Sequence, residues 1–187
     1  MRVVAGSARG RKLLVPQGDG TRPTAGVVKE AMFNILLNLL QGAIAGAKVL
    51  DLFAGTGQLG IEALSRGAGF CTFVEVNKAA AEIVCANLKN AGFAEQSVVR
   101  VTRVENFLQS GISNRFDVAI LDPPYGEVNL SNILPYVFAL MEENGIVVCE
   151  TDKKENLNRE FGKYQLTKEY FYGRKKLTLF KCGKVCR

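Results

Sequence analysis

The 187-residue sequence contains no histidine, and this absence removes several classes of chemistry. Neither a Ser-His-Asp triad nor a Cys-His pair can be built without an imidazole to act as the base. Five cysteines are present at scattered positions, and an odd count favours a reducing compartment over a disulfide framework. We therefore expect a cytoplasmic protein. Cys182 and Cys186 form one closely spaced thiol pair, which without histidine does not predict a metal site.

The sequence also lacks any apolar run near the roughly 20 residues that a membrane-spanning helix requires. Residues 1–6 do not lead into the apolar core of a secretory signal, so none is expected. Hydrophobic residues make up 48% of the chain and charged residues 22%, which is typical of a globular domain. This length accommodates one α/β domain with a full core. No exposed apolar element stands out, so we expect a monomer.

Positive charge is concentrated at the two ends of the chain. Residues 1–29 contain six Lys or Arg and one acidic residue, and residues 159–187 contain nine and two. Residues 30–158, in contrast, contain nine basic and fifteen acidic residues. If both ends fold to the same rim of a cleft, they form a phosphate-binding collar, whereas solvated surface charge is the alternative.

Hydrophobic spacing predicts alternating strands and helices, preceded by a helix at 27–40. Strands are predicted at 47–52, 70–76, 97–103, 116–121, 145–150, 163–172 and 175–182, and helices at about 57–67, 78–91, 104–110 and 130–141. This alternation predicts an α/β fold with a doubly wound, mostly parallel Rossmann-like sheet and an antiparallel C-terminal strand. The runs 2–5 and 12–15 predict a small N-terminal β-hairpin.

A glycine-containing loop separates the first of these strands from the next helix. Gly55 and Gly57 allow a sharp turn and a close approach to a ligand, and the helix N-terminus offers free N–H groups. Glu75 ends the next strand, 20 residues after Gly55, where a carboxylate can accept both hydroxyls of a ribose. Because Gly60 completes a G-x-G-x-x-G spacing, the loop alone does not choose between NAD and S-adenosylmethionine.

Asp51 favours S-adenosylmethionine, because a carboxylate suits an ammonium and a sulfonium but not a pyrophosphate. No Lys-Ser/Thr follows the glycines, which excludes a P-loop. The residues after Glu75 are expected to flank the adenine, and the start of helix 104–110 is expected to meet its other face or edge. The predicted donor-binding residues are Asp51, Phe53, Gly55, Gly57, Glu75, Val76, Asn77, Val104 and Glu105.

The second candidate motif, Asp122-Pro123-Pro124-Tyr125, follows the buried strand 116–121. An exocyclic amine is a poor nucleophile, and two acceptors aimed at its hydrogens draw its nitrogen toward tetrahedral geometry. The Asp122 side chain and the Pro123 carbonyl can supply these acceptors, and the two prolines fix the backbone. Tyr125 offers a flat face to an extruded base. The alternative is a rigid turn without a ligand. In a parallel sheet both motifs would open into one cleft.

Together the two motifs resemble class I S-adenosylmethionine-dependent methyltransferases that modify exocyclic nitrogens. The first 36 residues extend this likeness to the bacterial 16S ribosomal RNA guanine-N2 methyltransferases. The matching segments are Arg2-Val3-Val4-Ala5-Gly6, Gly10-Arg11-Lys12-Leu13, Thr21-Arg22-Pro23-Thr24 and Lys29-Glu30-Ala31-Met32-Phe33-Asn34-Ile35-Leu36. The resemblance implies a seven-stranded sheet, an RNA-binding extension at 1–23 on a methyltransferase domain at 24–187, and methylation of guanine N2 in ribosomal RNA or a small-subunit assembly intermediate.

Five basic residues are expected to contact RNA phosphates: Arg2, Arg9, Arg11, Lys12 and Arg22. The chain departs from the family pattern at Ala25-Gly26-Val27, where a hydroxyl or acid and an arginine are usual, and at Glu105, near which an aspartate is usual. Adenine-N6 methylation of DNA, methylation of a protein glutamine amide, a nicotinamide oxidoreductase and a non-catalytic RNA-binding assembly factor remain alternatives.

Overall fold

The structure, a computed structural model, describes residues 1–16, 26–40, 44–111, 113–124 and 126–182. Arg22, Tyr125 and Cys186 lie outside the described residues, as does the predicted domain boundary at residue 23. The helices are α1 (Gly26–Leu39), α2 (Gln58–Ser65), α3 (Lys78–Ala91), α4 (Val104–Leu108) and α5 (Leu130–Ala139). The strands are β1 (Lys48–Leu52), β2 (Phe70–Glu75), β3 (Ser97–Val101), β4 (Phe116–Leu121), β5 (Met141–Asp152), β6 (Glu160–Phe161), β7 (Tyr164–Tyr172) and β8 (Lys175–Cys182).

The strands form one sheet in the order β3-β2-β1-β4-β5-β8-β7-β6. The pairs among the first five strands are parallel, whereas β8, β7 and β6 join through antiparallel pairs. The order reverses direction at β1, because β2 lies on one side of it and β4 on the other. In open α/β sheets a ligand cleft forms at such a reversal, outside the carboxyl ends of the strands.

Two hydrophobic clusters cover the two faces of the sheet, as the strand period of two requires. Val118 and Ile120 of β4 pack with α1, α2, α3 and the N-terminal segment on one face. Ala119 and Leu121 pack with α4 and α5 on the other. The doubly wound, mostly parallel sheet with antiparallel C-terminal strands is therefore confirmed. No helix in the described ranges is long and apolar enough to cross a bilayer.

Two strand predictions differ from the structure. The described sheet has eight strands, because Glu160 and Phe161 pair with β7 as a two-residue edge strand too short to carry a periodic pattern. In addition, β5 begins at Met141, which pairs with Phe116 across a register shift in β4. The exposed polar residues 142–144 interrupt the apolar pattern there, so spacing alone predicted a start at 145.

The predicted N-terminal hairpin has the form of one antiparallel bridge between Arg2 and Lys12. The backbone N–H of Val3 donates to the carbonyl of Arg11 at 3.0 Å, and the N–H of Gly10 donates to the carbonyl of Val3 at 2.9 Å. Too short to be stable alone, the hairpin buries Val3 and other apolar side chains in the core it shares with α1 and α2.

Glu62, on α2, fastens the start of this segment to the sheet domain. Its fully buried carboxylate accepts the backbone N–H groups of Val4 at 2.8 Å and Ala5 at 2.9 Å. Two cations neutralise the buried charge, since Lys29 lies 3.1 Å and Arg66 2.9 Å from the same group. A buried carboxylate with two cations and two N–H donors is satisfied, so the hairpin is held rigidly beside α2.

Asn87, which is fully buried on α3, holds the end of the N-terminal segment against the sheet domain. Its side-chain oxygen accepts the N–H of Leu14 at 2.7 Å, and its amide donates to the carbonyls of Leu14 at 3.1 Å and Thr56 at 2.9 Å. The three bonds join the N-terminal segment to the loop between β1 and α2. One side chain, that of Asn87, therefore binds both the N-terminal segment and the glycine loop.

We predict that Asn87→Ala lowers the free energy of unfolding by about 2–4 kcal/mol, because it removes three hydrogen bonds made by a fully buried side chain and leaves the buried Thr56 carbonyl without this partner. Asn90→Ala is the matched control, since exposed Asn90 makes one described bond, to the carbonyl of Lys12 at 3.0 Å. We expect the control to cost less than about 1 kcal/mol. Urea unfolding of both variants checks this, and equal costs would contradict the anchoring role.

Candidate functional site

The carboxyl ends of β1, β2 and β4 open into a cavity of about 550 Å³. Nine of the residues predicted for the donor and for the target line it: Phe53, Gly55, Glu75, Val76, Val104, Glu105, Asp122, Pro123 and Pro124. The two motifs, some 70 residues apart along the chain, thus share one cavity. This juxtaposition is the arrangement that a group transfer between two bound molecules needs.

Asp51, Gly57 and Asn77 do not line the cavity. Gly57, the N-cap of α2, has a φ of 75°, and a Cβ there would lie 2.9 Å from a methyl group of Val84. Asn77 is exposed and caps α3, since its side-chain oxygen accepts the N–H of Ala80 at 3.1 Å. These residues shape the loop and the helix rather than the cavity wall.

Asp51 lies behind the glycine loop and is 1% exposed. Its carboxylate accepts the backbone N–H of Gly60, in the first turn of α2, at 2.8 Å. A Cβ at Gly60 would lie 2.3 Å from the ring of Phe73, so glycine is required for α2 to pack this close to β2. Asp51 therefore fixes the helix start against the sheet.

The loop leaves β1 through a left-handed turn at Phe53, whose φ of 66° is positive in a residue other than glycine. Such a conformation is uncommon and marks a locally strained backbone, which is frequent at ligand sites. The N–H of Ala54 donates to the carbonyl of Val74 at 3.0 Å, which ties the turn to β2. Gly55, with a φ of 56°, follows in the cavity wall.

Glu75 holds this loop in place with the same carboxylate that is predicted to bind a ribose. One oxygen accepts the N–H of Gly55 at 2.7 Å and the other accepts the N–H of Asn77 at 2.8 Å. Each oxygen keeps a further lone pair, and the residue lines the cavity. The carboxylate is thus fixed by two backbone donors and retains capacity for hydroxyl donors from a ligand.

Three carboxylates crowd the carboxyl edge of the sheet. Burial raises the pKa of Asp51 well above its ordinary value, and the N–H of Gly60 opposes this shift. The neighbouring carboxylates of Asp122 and Glu75 raise the pKa of Asp51 further. Because the carboxylates of Glu75 and Asp122 line the cavity, this edge favours a cationic ligand over an anionic one.

Gln58 lies at the site but was not predicted from the sequence. It lines the cavity, it is 7% exposed, and its side-chain oxygen has no hydrogen-bond partner among the described residues. A buried acceptor without a donor is costly, and in a cavity wall it indicates a ligand that donates to it. The ammonium of a methionyl group is such a donor, so the residues present fit S-adenosylmethionine.

Several other lining residues were not predicted: Met1, Ala54, Thr56, Leu59, Val74, Arg103, Glu127, Val128 and Lys175. Met1 reaches the loop, since the hydroxyl of Thr56 donates to its sulfur at 3.6 Å. The resemblance of residues 2–6 to the family was the sequence feature that could have indicated a part for Met1 in the site. Lys175 lies at the cavity because β8 pairs antiparallel with β5. Residue spacing along the chain does not predict which strands pair.

The four described residues that are predicted to contact RNA do not line the cavity. Arg2, Arg9, Arg11 and Lys12 are all exposed on the N-terminal hairpin, and Arg2 donates to the carbonyl of Gly10 at 3.0 Å. They form a basic surface on the element whose first residue lines the cavity. Within the described ranges, no group of three or more metal-ligating side chains is arranged to hold an ion.

The fold and the site define a class I methyltransferase: a doubly wound sheet with antiparallel C-terminal strands, a glycine loop and acids at its carboxyl edge. The family model described as "Conserved hypothetical protein 95" matches residues 1–181. The chain therefore belongs to the Conserved hypothetical protein 95 family.

Named relatives share most of the chain. "Putative rRNA methyltransferase YlbH" of Bacillus subtilis is 36% identical over 185 residues, covering 97% of this chain and 98% of that protein. "Ribosomal RNA small subunit methyltransferase D" of Escherichia coli is 35% identical over 150 residues, covering 80% and 71%. A solved structure, "Putative methyltransferase yhhF from Escherichia coli", has a TM-score of 0.83 at 29% identity and 98% coverage of both chains. The predicted methyltransferase family is confirmed.

We predict that Asp51→Asn becomes progressively more favourable for stability as pH rises. The folded-state pKa of Asp51 is raised, so its stability contribution is complete below about pH 4 and is lost as pH rises through the folded pKa. Asparagine keeps an acceptor for Gly60 and has no charge to bury. The stability difference should grow by about 1.4 kcal/mol for each unit by which the pKa is raised.

Urea unfolding of both proteins from about pH 4.5 to pH 8 measures this difference. Asp117→Asn is the control, because half-buried Asp117 accepts the N–H of Lys48 at 2.8 Å, at the start of β1. A stability difference for Asp51→Asn that stays flat across this range would contradict a buried, titrating carboxylate.

Proposed function

We propose that this chain transfers a methyl group from S-adenosylmethionine to the exocyclic N2 amine of a guanine in small-subunit ribosomal RNA. The observation that carries the proposal is the single cavity lined by both Gly55 and Asp122. Membership of the family and the 36% identity to a relative named as an rRNA methyltransferase support ribosomal RNA as the substrate. The choice of guanine N2 as the methylated atom is supported by the chemistry of the Asp122-Pro123-Pro124-Tyr125 motif and by the family resemblance.

The β1–β2 side of the cavity is the proposed donor side. Glu75 accepts hydrogen bonds from the ribose hydroxyls, and Gln58 accepts one from the ammonium of the methionyl part. Val76 and Val104 supply apolar surface for the adenine, since both line the cavity beyond Glu75. S-adenosylmethionine, when bound, supplies a methyl group activated by its positive sulfur.

The β4 side of the cavity is the proposed acceptor side. Asp122 accepts one hydrogen of the guanine amine, and the carbonyl of Pro123 accepts the other, so the nitrogen lone pair is directed toward the methyl group. Pro123 is buried and Pro124 exposed, and each fixes its own φ, which keeps the turn rigid. Tyr125, outside the described residues, remains a predicted stacking surface. Asp122 or water then takes the proton that the amine releases.

The basic N-terminal hairpin is the proposed RNA-binding surface. Arg9, Arg11 and Lys12 are exposed on a segment that Glu62 and Asn87 hold rigidly. Because the hairpin begins at Met1 in the cavity wall, RNA phosphates bound along it would lie near the entrance. A non-catalytic assembly factor would use the same surface without the cavity, and the test below separates the two.

We predict that the protein, incubated with small ribosomal subunits or their RNA and methyl-labelled S-adenosylmethionine, produces labelled N2-methylguanine in the digested RNA. Asp122→Ala should lower the rate by about 10²–10⁴-fold, because it removes an acceptor that orients the amine. Nucleoside mass spectrometry measures the product, and calorimetry measures donor binding by both proteins.

A matched control is Glu127→Gln, since Glu127 lines the cavity three residues beyond the turn but has no assigned part in holding the amine. Its rate should stay within about tenfold of the parent protein. Labelled N6-methyladenine in place of methylguanine would favour the adenine alternative. Absence of any labelled nucleoside, with RNA still bound, would contradict the proposal and support the assembly factor.

A further inference from the structure

Lys175 lines the cavity, yet neither the donor nor the amine-binding motif uses it. Strand β8 runs antiparallel to β5, so its first residue, Lys175, lies at the edge where β5 ends. Acidic residues predominate among the charged groups of the cavity wall, which include Glu75, Glu105, Asp122 and Glu127. A lysine directed into such a cavity has a partner to bind, either within the protein or on the substrate.

The register of the sheet fixes where Lys175 lies relative to the second motif. Leu121 pairs with Cys149, so the next residues, Asp122 and Glu150, lie side by side at the ends of β4 and β5. Glu150 pairs with Leu177, which makes Lys175 its diagonal neighbour on the same face. The edge therefore runs from Asp122 through Glu150 to Lys175, away from the donor side at β1 and β2.

An ion pair with Glu150 holds the Lys175 ammonium in this position. The Glu150 side chain is fully buried and that of Lys175 is 20% exposed, so the ammonium is fixed in the wall rather than mobile at the rim. Because Glu150 compensates its charge, Lys175 has little net attraction for a phosphate. Glu150 is the one hydrogen-bond partner of its ammonium among the described residues, so two of its three N–H donors are left for a neutral acceptor.

We propose that Lys175 is a specificity-determining residue that donates a hydrogen bond to the 6-oxygen of the target guanine. The inference rests on the proposed function, with the guanine amine held at Asp122. Guanine carries its N2 amine and its 6-oxygen at opposite ends of one edge, so an amine at β4 lets the oxygen point toward β5 and β8. Adenine carries a donor amine at position 6, which cannot accept a bond from Lys175.

The test measures the parent protein and one pocket variant, each with two RNA substrates. One RNA carries guanine at the position that the parent protein methylates, and the other carries 2-aminopurine, which keeps the 2-amine and has hydrogen in place of the 6-oxygen. The pocket variant is Lys175→Met combined with Glu150→Gln, so that no unpaired buried carboxylate remains. The measured quantity is the ratio of kcat/KM for guanine to kcat/KM for 2-aminopurine.

The parent protein should prefer guanine, and the double variant should reduce this preference by about tenfold or more, the scale of one hydrogen bond from a charged donor. Lys175→Arg, which keeps a cationic donor, should retain at least part of the preference. Lys176→Met is the matched control. Lys176 pairs with Glu169 at 2.7 Å on the opposite face of the sheet and does not line the cavity, so its variant should leave the ratio unchanged.

An unchanged ratio in a folded double variant, with both substrates slowed equally, would overturn the inference and leave Lys175 as a structural residue. Circular dichroism and donor calorimetry establish that each variant is folded. A parent protein that methylates no guanine would instead overturn the proposed function, so the two failures are distinguishable.

Discussion

The parallel pairing of β1 with β4 is the constraint on which the site depends. Leu52 lies beside Leu121, so the chain leaves both strands at the same edge, and the glycine loop and the acid-proline turn emerge as neighbours. Antiparallel pairing would send the two loops to opposite ends of the sheet. Val49 pairs with Val118 and Asp51 with Ile120, and a slip of one residue would take Asp51 away from the N–H of Gly60 and turn its carboxylate toward the apolar cluster on the other face.

Three carboxylates and an ion pair lie along this edge of the sheet. Asp51, Glu75 and Asp122 lie close enough that the second and third raise the pKa of the first, an unfavourable arrangement that a cationic methyl donor relieves. Glu150 and Lys175 neutralise one another on the far side of Asp122.

Much of the fold followed from the sequence, because α3 and β4 carry strong periodic patterns with clear ends, and both have the predicted bounds. The site was predictable where a motif follows a strand, as with Gly55 and Asp122. Lys175 and Gln58 were not, for physical reasons. The position of Lys175 depends on β8 pairing with β5, a contact between distant segments, and the isolation of the Gln58 oxygen depends on three-dimensional burial. Asp51, predicted to bind the donor, does not line the cavity and accepts the N–H of Gly60, so its part in donor binding stays a prediction.

A crystal structure of the protein with S-adenosylhomocysteine tests the shared cavity most directly. The account predicts the ribose at Glu75, the methionyl ammonium at Gln58, and the sulfur on the side of the cavity that faces Asp122. A ligand bound outside this cavity, or bound with its sulfur directed away from Asp122, would contradict the claim that the two strand ends form one methyl-transfer site.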